Sequence, residues 1–380
     1  MQKVVLLPPL IEDYNKSMEV YAQELARAFK EQKLPIQTHL NFLHQVKTEP
    51  KDISPDFPVK LKTVLPDNLY FKYFVYPNKI NWLPNSIVHI TDHSYGHLLF
   101  ANPQQKFVIT CHDLTLLRFQ KKIVKTDADQ DRLNLFKYSI SALKRAQAII
   151  ADSKATQNDL EMFLNIPKTK IKVIPLGVNY LYQHLNNNSE INELSNKYRL
   201  QNHFILLHVG NNAFYKNMSF LFKILYLLIN KHQQKVKLMK IGADFTEFQK
   251  MMIRNLNLSA NVLHLGEVPL KKQILFYNLA DLLVYPSLNE GFGLPVLEAM
   301  ACGTPVLTSN LGSLPSVVGK AGLLLEPKHH EEWANTIKDL INHPEKLNKM
   351  SELGLTRAKE FSWKNTANKT YEVYQQVINL

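Results

Sequence analysis

Cysteine and long apolar runs are scarce in this sequence of 380 residues. Cys111 and Cys302 are its only cysteines. Two cysteines do not make a disulfide framework, so we expect a protein of the reducing cytoplasm. No apolar run approaches the ~18–20 residues that a membrane-spanning helix requires. The apolar start, residues 1–7, runs into Pro8 and Pro9, so it is too short for a signal peptide and is typical of a first β-strand.

A glycine-rich loop is also missing after this first strand. Residues 8–17 contain no glycine. A nicotinamide-dependent dehydrogenase would carry Gly-x-Gly-x-x-Gly there, because glycines let the backbone approach a pyrophosphate. The sequence therefore disfavours that class of enzyme. Any phosphate contact in this loop would have to come from a side chain such as Ser17.

Metal-binding patterns are sparse as well. His93 and His97 have the i, i+4 spacing that can hold a metal ion, but the sequence shows no further ligands around them. Asp127 and Asp129 form an Asp-x-Asp sequence, but it precedes a predicted helix instead of ending a strand. We therefore expect no metal site.

Positive charge exceeds negative charge, with 45 Lys and Arg against 33 Asp and Glu and a formal net charge of +12. Such an excess favours an anionic partner: nucleic acid, anionic lipid head groups or a phosphate-bearing substrate. Zinc-finger spacing, RNA-binding aromatic motifs and basic heptads are absent, so we expect no nucleic-acid binding. The lysines are scattered along the chain, and an ordinary excess of surface lysine is the alternative.

The chain is long enough for two domains with separate cores. Strand-like apolar runs alternate with amphipathic helices in both halves, and the first such helix spans 17–30. This alternation predicts an α/β protein with two Rossmann-like domains facing a central cleft. The predicted boundaries are a first domain at 1–182, a polar linker at 183–199, a second domain at 200–362 and a terminal helix at 363–380.

Residues 45–86 are rich in proline, lysine and aromatic residues. The proline-rich part is typical of a long loop. The aromatic residues from Phe71 to Trp82 fit two interpretations, an acceptor-binding surface or a helix that faces the core.

Polar residues follow two predicted strands of the first half. Asp92 and His93 come after the strand at 86–90, and His112 follows the strand at 106–111. Open α/β sheets bind ligands at the carboxyl ends of their strands, so these side chains are candidates for substrate contact. His112 with Asp113 could form an oriented hydrogen-bonding pair, or could be structural.

The most informative stretch lies at 284–305. A short apolar run ends at Pro286, glycines follow, and a helix is predicted from Leu294. Free N–H groups at a helix start bind phosphate, and glycines allow close approach. Carboxylates beside phosphates would repel them, so Glu290 and Glu298 are expected to accept hydrogen bonds from sugar hydroxyls. The alternative is a plain strand–turn–helix unit with solvated glutamates.

The segment from Glu290 to Glu298 resembles the Glu-x7-Glu signature of the family 4 retaining glycosyltransferases (glycosyl transferases group 1), which have the GT-B fold. The resemblance is dense over 204–327. In the first half it rests on His112-Asp113 and on Ser153-x-x-Thr156. It implies that the terminal helix packs back on the first domain.

The resemblance also implies residue roles. His112 would lie near the donor sugar, Glu290 would hold the sugar hydroxyls, and Lys216 would neutralise the donor diphosphate. Asn211 stands where many relatives carry an arginine whose charge asparagine cannot replace, so either another cation compensates or the donor binds more weakly. The remaining implied donor contacts are Gly266 and Val268 at the nucleobase, Gly291 and Phe292, Gly293 and Leu294 at the diphosphate, and Glu298 at the ribose. The candidates for the acceptor side are Ser17, Asp92, His93 and Asp113.

The resemblance implies a metal-independent, retaining transfer of mannose or another hexose from a nucleoside diphosphate sugar. The acceptor would be a saccharide or a lipid-linked saccharide in cell-surface polysaccharide or glycolipid biosynthesis, and no cofactor is expected. The alternative is a non-catalytic nucleotide-sugar-binding or regulatory protein of the same fold. We expect a cytoplasmic protein, with peripheral contact to an anionic inner membrane face as a further hypothesis.

Overall fold

A computed structural model describes residues 2–10, 16–40, 58–80, 82–186 and 189–379. The chain divides into two compact units. The first contains Met1–Gly177 and Trp363–Leu380, and the second contains Val178–Ser362.

The first unit is built on a parallel sheet of six strands in the order β2-β1-β3-β4-β5-β6. Its middle strands are mostly apolar and almost entirely buried, as strands covered by helices on both faces must be. The strands are β1 Gln2–Leu7, β2 Ile36–Leu40, β3 Ile87–Ile90, β4 Lys106–Cys111, β5 Ala148–Ala151 and β6 Ile171–Val173.

Helices connect these strands. The predicted first helix is confirmed, with Tyr21, Leu25 and Phe29 buried on one face. The Thr126 side chain caps another helix, and Asp129 closes the reciprocal bond, so the Asp-x-Asp sequence serves a helix start. The α-helices are α1 Lys16–Glu31, α2 Asp67–Tyr70, α3 Leu98–Ala101, α4 Thr115–Arg118, α5 Gln120–Ile123, α6 Asp127–Ser141 and α7 Lys154–Leu164.

The aromatic segment after Pro66 faces the core. It forms α2 and continues as a π-helical turn, Phe71–Val75, and a 3₁₀ turn, Tyr76–Asn78. Phe71, Tyr73 and Tyr76 are buried, which favours the core interpretation over an acceptor surface. The earlier part of the predicted loop, 45–57, lies outside the described residues.

The C-terminal helix, Trp363–Ile378, belongs to the first unit. The Tyr374 hydroxyl is 2.6 Å from Nδ1 of His89 on β3, and Nε2 of His89 is 2.8 Å from the Thr110 hydroxyl on β4. Buried polar groups need such partners, so this chain of hydrogen bonds fixes the helix against the sheet. The predicted packing of the terminal helix on the first domain is confirmed.

The second unit contains another parallel six-stranded sheet, in the order β12-β11-β10-β7-β8-β9. Its strands are β7 Phe204–Val209, β8 Val236–Ile241, β9 Val262–Gly266, β10 Leu282–Tyr285, β11 Val306–Ser309 and β12 Leu323–Leu325. Its α-helices are α8 Ser189–Lys197, α9 Met218–Tyr226, α10 Glu247–Asn255, α11 Leu270–Leu279, α12 Leu294–Ala301, α13 Leu314–Val318, α14 His330–Asn342 and α15 Pro344–Ala358.

The polar stretch 183–199, predicted as a linker, includes the helix α8. Tyr198, just after this helix, packs its ring 5.9 Å from that of Phe276 on α11. The stretch is therefore partly helical and belongs to the second unit, because its few aromatic and apolar residues find partners there.

Among the described residues, no helix has both the length and the apolar character needed to cross a membrane.

Candidate active site

A buried ion pair joins two of the predicted site residues in the second unit. Lys216 ends the 3₁₀ turn Phe214–Lys216 that follows β7, and Glu290 lies in the loop after β10. The Lys216 ammonium donates to Oε1 of Glu290 and to the Tyr285 hydroxyl, each at 2.7 Å. Both paired side chains are only 10% exposed. The structure thus brings together two residues that lie 74 positions apart.

The loop that carries Glu290 is held from several sides. The Ser287 hydroxyl donates to Oε1 of Glu290 at 2.6 Å, and the Ser313 hydroxyl donates to its backbone carbonyl at 3.0 Å. Gly312 has φ +61°, and a Cβ there would lie 2.9 Å from the backbone N and O of Glu290. Only glycine allows this approach, so the carboxylate is fixed before any ligand arrives.

The helix α12 starts beside this loop. Gly293 precedes it with φ +98°, and a Cβ there would lie 2.8 Å from the Leu314 side chain. No side chain among the described residues caps the helix. The first N–H groups of a helix have no partner within it and favour negative charge. Gly293 and Leu294 are therefore placed at a helix start whose N–H groups favour an anion. Phe292 is buried, and Gly291 precedes it in the loop.

Glu298 lies inside α12 and is half-buried. Its Oε2 accepts a hydrogen bond of 2.7 Å from the Tyr277 hydroxyl and a longer one of 3.4 Å from Gln273. Burial raises the pKa of Glu298, and the hydrogen bonds from Tyr277 and Tyr182 oppose that shift. Its assignment to ribose hydroxyls stays a prediction.

The residues predicted at the nucleobase and diphosphate lie at strand ends. Gly266 ends β9 with φ +69°, and a Cβ there would meet nothing within 4 Å, while Val268 is half-buried in the following loop. Asn211 is exposed in the loop after β7. Its Oδ1 accepts the N–H of Ala213 at 3.1 Å, a local turn that brings no positive charge.

In the first unit, His112 is buried and both of its ring nitrogens are bonded. Nδ1 lies 2.5 Å from Oδ2 of Asp152, and Nε2 lies 2.8 Å from the carbonyl of Thr91. A carbonyl and a carboxylate only accept, so both nitrogens donate, as they do in an imidazolium ion. Burial alone would lower the pKa of His112, but the charge and hydrogen bond of Asp152 raise it to about 9.

The neighbouring candidates are also tied into the unit. Oδ1 of Asp92 accepts the N–H of Ser94 at 2.8 Å and caps the turn His93–Tyr95. Nδ1 of His93 accepts the N–H of His112 at 3.4 Å. Burial raises the pKa of Asp92, but the charges of Lys72 and His112 and the hydrogen bond from Ser94 oppose this, and the pKa is lowered. Asp92, His93 and His112 therefore form one connected cluster.

His97 does not join this cluster. Its Nδ1 is 3.1 Å from the Ser139 hydroxyl, and its Nε2 is 3.0 Å from the Lys72 carbonyl. Burial lowers its pKa to about 3. Both ring nitrogens of His97 therefore have protein partners. The described residues contain no group of three potential metal ligands.

Four other predicted positions lie at or near the starts of helices. Oδ1 of Asp113 accepts the N–H of Thr115 at 2.8 Å, which turns the chain into α4. Ser17 is exposed in the first turn of α1. Ser153 caps α7, and the Thr156 hydroxyl donates to the His112 carbonyl at 3.0 Å. The Ser-x-x-Thr pattern thus supports the backbone of His112.

Asp152 is the partner that sequence reasoning missed. Strands β4 and β5 are parallel neighbours, with Cys111 in register with Ala151. The next residues of the two strands, His112 and Asp152, must therefore lie side by side. Two polar residues that each directly follow an apolar strand were the available signal, but it requires knowing that these strands are adjacent.

Comparison with known families gives a match in each half of the chain. The family described as "Glycosyl transferases group 1" matches residues 190–357, and "Glycosyltransferase Family 4" matches residues 18–180. The first of these ranges contains the Lys216–Glu290 pair and the second contains the His112 cluster.

Two relatives from Escherichia coli illustrate the sequence similarity. "Serotype-specific mannosyltransferase WbdA" is 27% identical over 278 residues, which cover 72% of this chain and 34% of the relative. The match therefore spans about a third of that protein's length. "O-antigen chain mannosyltransferase B" is 28% identical over 274 residues, which cover 71% of this chain and 70% of the relative.

The fold is also found in solved structures. Sucrose-phosphate synthase from Thermosynechococcus elongatus superposes with a TM-score of 0.76, covers 100% of both chains and is 20% identical. At this level of identity the similarity establishes the fold, and the two-sheet architecture described above is shared over the whole chain.

Proposed function

Because the chain is a family 4, group 1 glycosyltransferase with the GT-B fold, we propose that it transfers a hexose from a nucleoside diphosphate sugar to a saccharide hydroxyl. Mannose is the first candidate, since two relatives are named mannosyltransferases. The name of one refers to the O-antigen chain, which supports a saccharide or lipid-linked saccharide acceptor in cell-surface polysaccharide synthesis. The observation that carries the proposal is the buried Lys216–Glu290 pair near the start of α12, which no side chain of the described part of the chain caps.

The two charges of the pair can bind different parts of the donor, its diphosphate and its sugar. An ammonium has three N–H groups, and Lys216 uses two of them on Glu290 and Tyr285. We assign the third to the diphosphate, together with the first N–H groups of α12. Glu290 then offers its carboxylate to the sugar hydroxyls.

This arrangement favours departure of the nucleoside diphosphate. Negative charge grows on the leaving phosphate as the glycosidic bond breaks, and fixed donors in a dry site stabilise it strongly. We propose that Lys216 and the helix start supply this stabilisation without a metal ion. In the retaining reaction the leaving phosphate accepts the proton of the attacking hydroxyl.

A donor screen tests the proposal. Thermal shift with GDP-, UDP- and ADP-sugars identifies the donor, because a ligand stabilises the fold that binds it. Transfer to a saccharide acceptor, or slow hydrolysis of the donor, is then measured for the wild type, Glu290→Gln and the exposed control Glu352→Gln. We expect kcat/KM to fall about 100-fold or more in Glu290→Gln and to be unchanged in the control. Full activity of Glu290→Gln would overturn the assignment. Saturable donor binding without turnover would favour the non-catalytic alternative.

We further propose a cytoplasmic location with peripheral contact to anionic membrane, which the net charge of +12 supports. Lysine near an anionic surface contributes about 1 kcal/mol per residue, and salt screens it. Flotation with anionic and neutral liposomes tests this at low and high salt. Recovery with anionic liposomes at low salt is expected, and no recovery under that condition would contradict the contact.

A further inference from the structure

Three neighbouring strands of the second unit each carry a basic residue shortly before a glycine at the strand end. His208 on β7 is in register with Lys240 on β8, and Lys240 is in register with His264 on β9. Side chains in register on parallel strands point to the same face of a sheet. The three basic residues therefore form one row, and the glycines that end their strands are Gly210, Gly242 and Gly266.

Lys240 is the unusual member of this row. Its side chain is fully buried, and its ammonium donates to the carbonyl of Ala243. Among the described residues no carboxylate lies within ion-pair distance of it, and the nearest acidic influence is that of Asp244, which is exposed. Burying an ammonium without an ionic partner is costly, so a position on an interior strand calls for a functional reason.

The environment still leaves Lys240 charged near neutral pH. Burial lowers its pKa to about 8, and the charge of Asp244 opposes the shift. His208 is fully buried beside it with a pKa lowered to about 3 by burial, so His208 is neutral. His264 faces Lys240 from β9, and Lys250 on α10 pairs with Asp244 at 2.9 Å.

The Lys240 ammonium lies just behind the loop that contains Asn211. The carbonyl that it contacts, that of Ala243, also accepts a hydrogen bond of 3.1 Å from the Asn212 side chain. On the other side, a Cβ on Gly210 would lie 3.6 Å from Cε of Lys216. Two buried lysines thus flank Asn211. Lys216 lies next to Gly210, and Lys240 shares the Ala243 carbonyl with Asn212.

The same region contains unused hydrogen-bond acceptors. Nε2 of His208 and Oδ1 of Asn212 are buried and have no hydrogen-bond partner among the residues that the structure describes. Nδ1 of His208 is engaged with the carbonyl of Val284 at 3.2 Å, so Nε2 carries the lone pair. Buried acceptors without donors are rare in folded proteins. A diphosphate has no donor to offer them, so they fit a hydroxyl-bearing part of a ligand beside the 210–213 loop.

We propose that Lys240 supplies the second positive charge for the donor diphosphate, in place of the arginine that Asn211 replaces. This inference rests on the proposed function, which puts the diphosphate at Lys216, beside Gly210, and at the start of α12. Lys240 is a positioning residue. It acts on the ligand through the low-dielectric interior and through the Ala243 carbonyl, which accepts hydrogen bonds from both Lys240 and the Asn212 side chain.

The test compares Lys240→Met with Lys237→Met, a control on the same strand whose ammonium donates to the exposed carbonyl of Arg199. Affinities for the nucleoside diphosphate sugar found in the screen and for the matching nucleoside are measured by calorimetry. Removing a nearby buried charge should weaken donor binding about tenfold and leave nucleoside binding unchanged. The control should bind both like the wild type.

A compensating variant separates charge from packing. Asn211→Arg should restore donor affinity in the Lys240→Met background and should raise it much less in the wild type. In the wild-type protein, donor affinity should fall as the pH rises from 7 to 9.5, because Lys240 loses its proton over this range. Lys240→Met should show a flatter profile.

Each outcome has one meaning. If the wild type binds no nucleoside diphosphate sugar and transfers no sugar, the proposed function itself is overturned. If the wild type binds but Lys240→Met binds equally well, or loses nucleoside affinity to the same extent, the charge assignment is overturned. Should Lys240→Met not fold, a wild-type donor affinity that does not change from pH 7 to 9.5 would overturn it alone.

Discussion

His112 and Asp152 form a buried ion pair with 2.5 Å between Nδ1 and Oδ2, made by the first residues beyond two adjacent parallel strands. The other nitrogen of the ring donates to the Thr91 carbonyl, and the His112 N–H donates to Nδ1 of His93. His112 therefore fixes the backbone of Thr91 and the ring of His93. With both ring nitrogens engaged, His112 acts by holding these groups in place. Its ring can contact a substrate only when the bond to Thr91 opens.

Replacing Asp152 by asparagine should remove the charge that keeps His112 protonated. In the wild type the pKa of His112 is raised to about 9, above its value of 6.5 in the unfolded chain. The stabilisation is therefore complete below pH 6.5 and is lost as the pH rises towards 9. The free energy of unfolding of Asp152→Asn should be about 3 kcal/mol lower than that of the wild type at pH 6.5. It should not fall further between pH 6.5 and 9 as that of the wild type does.

Two measurements check this prediction. NMR titration gives the pKa of His112 directly, and denaturant unfolding between pH 6 and 9.5 gives the stability. Asp127→Asn is a suitable control, because Asp127 is an exposed residue paired with Lys62. A wild-type His112 that titrates near 6.5, or equal pH slopes in wild type and Asp152→Asn, would contradict the pairing.

The Lys216–Glu290 pair should behave as a coupled unit in stability. Lys216→Met leaves the Glu290 carboxylate 10% exposed and without its cation, so we expect a loss of about 3 kcal/mol. Adding Glu290→Gln to Lys216→Met should recover part of this loss, because the uncompensated charge disappears. A double-mutant cycle by denaturant unfolding measures the coupling, and strictly additive effects would argue against a shared ion pair.

Much of the fold could be predicted because its signals are local. The strand before Pro286 and the helix after Gly293 follow from an apolar run, two glycines and a tolerated proline within a short stretch. The donor-side candidates Lys216 and Glu290 were both predicted, but their contact was not. Their pairing depends on the lateral order of the strands, which no short segment encodes.

The two missed residues show the same limit. Lys240 follows the buried residues Leu238 and Met239 in the middle of a strand. From the sequence alone, a lysine at such a position is expected to face solvent. Asp152 precedes a helix and fits a capping role, although Ser153 is the cap. The partner of Asp152, His112, follows a neighbouring strand of the sheet. The residues that lie beside Lys240, His208 and His264, also come from neighbouring strands.

The C-terminal helix should depend on one buried hydroxyl. Tyr374→Phe removes the 2.6 Å hydrogen bond to His89, whose ring is buried with a pKa lowered to about 3 by burial. Leaving that ring nitrogen unsatisfied should cost about 2 kcal/mol of unfolding free energy. Tyr371→Phe on the same helix is the control, since Tyr371 is half-buried and lies outside this network. Thermal and denaturant unfolding compare the two, and equal stability of both variants would show that the network does not anchor the helix.

Two glycine substitutions should separate backbone strain from steric contact at the Glu290 loop. Gly312 and Gly266 have φ of +61° and +69°, so an alanine at either position is strained by about 1 kcal/mol. A Cβ at Gly266 meets nothing within 4 Å, whereas at Gly312 it lies 2.9 Å from the backbone of Glu290. Gly312→Ala must therefore displace the loop, and we expect it to lose about 3 kcal/mol or more and most transfer activity. Gly266→Ala should lose only the strain, so equal unfolding free energies for the two variants would mean that the loop yields freely and does not hold Glu290 in place.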